Sequence, residues 1–131
     1  MRRKFKIEIL ILFLLLAAVN TQTNAQMKKI VEKDGLGIYF LFYSEGNGIE
    51  HNGVVIYLKN ENNYPVVYSF MLIFRADQTE KEQEVNGILK ALERKTGSNE
   101  GLYFIPFADK RSISEVGVTK IRVNKTEGPV K

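Results

Sequence analysis

Two runs of this 131-residue chain alternate with period two. In GVVIYLK, from Gly53 to Lys59, the residues Val54, Ile56 and Leu58 interleave with Val55, Tyr57 and Lys59. In VVYSFMLIFR, from Val66 to Arg75, the residues Tyr68, Phe70, Leu72 and Phe74 interleave with Val67, Ser69, Met71 and Ile73. Successive side chains of a strand point to opposite faces, so this spacing demands strands; a helix would repeat every ~3.6 residues. The sets beginning at Val54 and Tyr68 are the more uniformly apolar, which assigns them to a core between two packed sheets. Pro65, which has no N–H for a ladder, stands at the start of the second run.

Shorter runs rich in Val, Ile, Tyr and Phe occur at Met27 to Val31, Gly37 to Tyr43, Gly101 to Phe107 and Val116 to Val123. These residue types suit a pleated, half-buried surface. Asp34-Gly35, EGNG from Glu45 to Gly48, and Asn52-Gly53 separate them with residues that tolerate positive φ. The expectation is an all-β domain of six to seven antiparallel strands over residues 26–131. One segment resists it. From Thr79 to Gly97, Val85, Ile88, Leu89 and Leu92 fall at helical spacing, with Thr79 and Glu82 as a capping box and Gly97 as a stop. Asn86-Gly87 in its middle is a turn signal, so strand-turn-strand is preferred there to a helix in the crossover 79–96.

The succession VVIYLKNENN, YPVVYSFMLIFRA, a charged crossover, GLYFIPF and VGVTKIRV resembles the small immunoglobulin-like or fibronectin-III-like sandwiches of exported proteins. The resemblance covers most of Gly37 to Val123 and implies an antiparallel β-sandwich. It implies no activity, because that architecture hosts many functions.

Arg2, Arg3, Lys4 and Lys6 precede an unbroken apolar run from Ile9 to Val19, followed by small and polar residues ending at Ala25. This is the layout of a secretory signal peptide over residues 1–25. The run holds 11 residues, where a membrane-spanning helix needs roughly 20; an uncleaved anchor is the alternative. Removing the leader leaves 15 basic against 14 acidic residues. The apparent basicity therefore belongs largely to the leader, and no nucleic-acid partner is expected. Contact with the membrane is expected only through the leader before cleavage. Cysteine is absent, which rules out disulfides, a thiolate nucleophile and a cysteine zinc site. The composition points to a secreted or periplasmic domain held together by apolar burial alone.

No catalytic set emerges. His51, the only histidine, lies in a turn beside Glu50. Lys95-Thr96-Gly97 spells a triplet of serine penicillin-recognising enzymes, but no serine is followed by lysine at the third position. Pairs such as Glu82 with Glu84, or Asp109 with Glu115, could do acid–base work if a cleft held them together. The loops SEGNGIEHNG and KNENNYP carry oxygen ligands without an ordered calcium spacing. Neither cofactor nor metal is expected. What remains is apolar surplus: Val55, Tyr57, Val67, Met71 and Ile73 occupy the strand faces that a solvated sheet fills with polar residues. The expectation is a non-catalytic binding module whose partner is another envelope or secreted protein, with those five residues as the contact. A small carbohydrate-acting hydrolase using Asp and Glu is the first alternative, and a structural subunit assembling by strand exchange the second.

Overall fold

A computed structural model describes residues 27–44 and 50–126. The leader expected over residues 1–25 and the Glu45–Gly48 turn lie outside the described residues. Eight strands form: β1 Lys28–Lys33, β2 Leu36–Tyr43, β3 Gly53–Asn60, β4 Val66–Ala76, β5 Thr79–Leu89, β6 Arg94–Thr96, β7 Tyr103–Phe104 and β8 Glu115–Lys125. They build two antiparallel sheets, one ordered β1-β2-β3-β6 with β7 also on β3, the other β5-β4-β8. The all-β sandwich that period two demands is the observed architecture. β5 and the three-residue β6, neither among the six runs read as strands, raise the number to eight.

The alternation sorts the core as anticipated. Val54, Ile56 and Leu58 of β3 are buried, as are Tyr68, Phe70, Leu72 and Phe74 of β4. Leu36 and Ile38 of β2, Val85 and Leu89 of β5, and Leu102, Phe107 and Ile113 from the connections complete the layer between the sheets. Full burial of side chains this size contributes roughly 1.5–3 kcal/mol each.

No helix forms over 79–96. β5 pairs with β4 along its whole length, from Ala76 opposite Thr79 to Val66 opposite Leu89. The hairpin turns at Asp77-Gln78, with Asp77 at φ 55°. The supposed apolar helix stripe divides by strand parity instead: Val85 and Leu89 are buried, whereas Ile88 is exposed on the other face and Leu92 sits exposed in the following turn. Thr79 and Glu82 lie within the strand and cap nothing. The Asn86-Gly87 turn is absent as well. Gly87 faces Tyr68, and a Cβ there would come within 2.7 Å of the tyrosine hydroxyl. The glycine provides room for a ring, not freedom for a bend.

Two further expectations shift. Of GLYFIPF only Tyr103 and Phe104 pair as a strand, because Gly101 takes φ 72° and Pro106 has no N–H to offer a ladder. At Asn52-Gly53 the left-handed residue is His51, at φ 58°; Gly53 already begins β3.

The asparagine patch after β3 is a structural knot. Asn60 is fully buried, donating to Tyr64 O and Lys90 O at 2.9 Å each and accepting from the Asn62 backbone N–H at 3.0 Å. The Asn62 side chain reaches Asp34 O at 2.9 Å. Backbone bonds Glu61 N–H to Gly35 O, Asn60 N–H to Glu93 O and Leu92 N–H to Asn62 O close the knot. Connections from both sheets are thereby tied at one end of the sandwich.

Candidate functional site

The outer face of the first sheet is a grid whose rows follow the strand register. Glu32, Gly37, Lys59 and Arg94 lie across one end; Lys29, Tyr39, Tyr57 and Thr96 form the next row. Leu41, Val55 and Tyr103 follow, and Tyr43 with Gly53 closes the far end. Two glycines shape this surface. A Cβ on Gly37 would meet the Tyr39 ring at 2.8 Å, and one on Gly53 would meet the Tyr103 hydroxyl at 3.0 Å. Both rings thus lie against bare backbone. Tyr39 meets Tyr57 edge to face at 5.7 Å, and Tyr43 meets Tyr103 the same way at 5.8 Å, the arrangement that aromatic quadrupoles favour.

The two ends differ in chemistry. At one, Lys29 sits over the Tyr39 ring at 5.8 Å and pairs with Glu32 at 3.4 Å, while Lys59 pairs with Glu61 at 2.8 Å. That hydrogen bond, aided by the opposite charge, holds the lysine above and the glutamate below their ordinary values. At the other end a shallow groove of about 490 Å³ runs between Met27, Leu41, Tyr43, Val55, Ser98 and Tyr103. Tyr43 is 47% exposed there.

The five expected contact residues are not brought together. Val55 and Tyr57 belong to the face just described, whereas Val67, Met71 and Ile73 lie on β4 in the second sheet and face away on the opposite side of the sandwich. The surroundings there are polar. Met71 stands between Glu84 and Thr119, Ile73 between Glu82 and Gly117, and Arg75 between Glu80 and Glu115, to both of which it bonds. Only Val67 and Ile88, opposite each other and each 41% exposed, make an apolar pair. Tyr39, Leu41, Tyr43 and Tyr103, absent from the expected set, carry most of the first face. For Tyr39, Leu41 and Tyr43 the signal is the second parity of GIYFLFY, which is apolar on both faces, whereas Tyr103 belongs to GLYFIPF.

The residues considered for chemistry have structural settings. His51 stacks on Phe42 at 4.7 Å, and its carbonyl accepts from Ile113 N–H. Lys95 donates to Ile88 O and Thr96 to Ile56 O, each at 2.9 Å, so the triplet stitches β6 into the fold. Asp109 is held by the Arg111 guanidinium at 2.7 Å, which lowers its pKa through that hydrogen bond. Glu82 and Glu84 both point outward from β5. Among the described residues no group of three or more His, Asp and Glu gathers to hold a metal ion. No family model matches the chain, and neither a curated protein nor a solved structure matches it.

Proposed function

We propose that the chain is an exported, non-catalytic interaction module that grips a protein partner through the outer face of its first sheet. The observation that carries this reading is the continuous patch of Tyr39, Leu41, Tyr43, Val55, Tyr57 and Tyr103 on the outer face of the first sheet, where Tyr43 is exposed and the other five are half-buried. Solvated sheet faces alternate to polar residues, and tyrosine is enriched where proteins meet because it offers area and a hydroxyl at low entropic cost. Export rests on the charged, apolar leader pattern of residues 1–25, and the secreted or periplasmic setting follows from it. The sandwich itself we infer to be of the immunoglobulin-like or fibronectin-III-like kind. Supporting this, β3 pairs with β7 in one sheet and β4 with β8 in the other, as strands B with E and C with F do in that architecture; β1 is an addition.

A photo-crosslinking amino acid placed at Tyr57 in the producing cell should yield covalent adducts heavier than the chain, whereas the same group at Met71 should yield few. Silence at Tyr57 under conditions where the protein is abundant would defeat the reading.

A further inference from the structure

We infer that the open edge of β5 is a strand-pairing site held shut by the chain's own side chains: Gln83 and Lys95 occupy its free carbonyls, Lys81 charges its inner face, and without these three residues two copies join β5 to β5. The edge itself suits pairing. β5 matches β4 from Thr79 to Leu89 without a shift of register, whereas the ladder of β1 shifts between Lys29 and Val31 and that of β8 shifts opposite Ser69 to Met71, where Lys120 takes φ 53°. Long edges without a bulge are where foreign strands add.

The turn fixes which backbone groups face the edge. A two-residue hairpin closes on a hydrogen-bonded pair, here Ala76 with Thr79, and bonded pairs then alternate along the ladder. The odd-numbered residues of β5 therefore direct their N–H and C=O groups at β4. Glu80, Glu82, Glu84, Asn86 and Ile88 turn theirs to the open edge. Two of these carbonyls are already taken: Glu84 O accepts from Gln83 Nε2 at 3.0 Å, and Ile88 O accepts from Lys95 Nζ at 2.9 Å. Lys33 of β1 treats the other edge of this sheet alike, donating to Ile121 O of β8 at 3.3 Å.

A second β5 running antiparallel and centred on Val85 meets no like charge, since Glu84 of each copy faces Asn86 of the other and Glu82 faces Ile88. Its ladder needs the carbonyls of Glu84 and Ile88, the two that are capped. It also sets Lys81 of each copy against Leu89 of the other on the inner face, where Leu89 is fully buried. An ammonium there loses water without gaining a partner. The caps and the charge thus oppose the same register. The joint is isologous and occupies both β5 edges, so assembly through it stops at two.

Lys81→Val, Gln83→Val and Lys95→Met combined should give, in sedimentation velocity from about 1 to about 500 µM, a dimer with a midpoint below about 10 µM. Gln83→Val with Lys95→Met, which leaves Lys81 in place, should dimerise about tenfold more weakly, and keeps the test valid should the triple variant fold poorly. Hydrogen exchange locates the joint, whatever the tyrosine face binds. In the parent the amides of Glu82, Glu84 and Asn86 should exchange fast at every concentration while those of Gln83 and Val85 exchange slowly; in the variants all five should be slow once dimer forms. Variants that stay monomeric to about 500 µM, variants that associate with Glu82 and Glu84 still exchanging fast, or a parent in which those two amides become protected as concentration rises overturn the proposal.

Discussion

Tyr68 needs the space that Gly87 leaves. Its ring is buried, and that burial, followed by the charges of Glu100 and Glu93, pushes its hydroxyl above the ordinary tyrosine value. A methyl group at Gly87 would stand 2.7 Å from that hydroxyl and 3.1 Å from the ring carbon bearing it, closer than atoms pack without displacement. Gly87→Ala should therefore lower stability by about 1–3 kcal/mol, the usual cost of overfilling a packed site. A chemical melt checks this, and Tyr68→Phe in the same chain should recover part of the loss because the two sites share one contact. An unchanged midpoint in Gly87→Ala would mean that the ring does not depend on the gap. The same glycine shows why a dipeptide is ambiguous in isolation. Asn-Gly favours a turn through its conformational freedom, but here the property in use is the missing side chain.

At the scale of elements, what could be read from the chain depended on how much apolar contrast each strand carried. β3 and β4 alternate cleanly because each is packed between neighbours in its sheet, and every residue assigned inward on them is buried. Phe70→Ala in the middle of β4 should cost roughly 3–5 kcal/mol through lost burial and the cavity left behind, a large share of the roughly 5–15 kcal/mol that holds a domain folded. A thermal midpoint within a degree or two of the parent would mean that the two faces of β4 had been exchanged. β5 was opaque for a physical reason. As an edge strand it shows Glu80, Glu82 and Glu84 outward and Lys81 and Gln83 on the other parity, so its first half has no apolar face, and charges of this kind discourage pairing with foreign strands. Its helical spacing arose from the last residues of a strand and the turn that follows. β6 and β7, at three and two residues, are too short to carry a period.

Across the whole molecule, face was legible and partnership was not. Local alternation tells which side of a strand looks inward, but nothing in β3 or β4 records that the chain crosses between sheets at residues 61–65, so Val55 and Tyr57 part company with Val67, Met71 and Ile73. Tracing the contiguous outer face of the first sheet required knowing that β2 and β7 flank β3. The knot around Asn60 and Asn62 has its own consequence, in time rather than in space. Loop amides ordinarily open on their own, far more readily than the strands around them. The amides of Glu61 and Leu92 are bonded to Gly35 O and Asn62 O, and that of Asn62 to the Asn60 side chain, which is itself held to Tyr64 O and Lys90 O, so the three are released together when the knot opens. In deuterium these three loop amides should exchange as slowly as the central amides of β3 and β4. Fast exchange there would mean that the end opens by itself; slow exchange makes the asparagine loop the last part of the surface to let go.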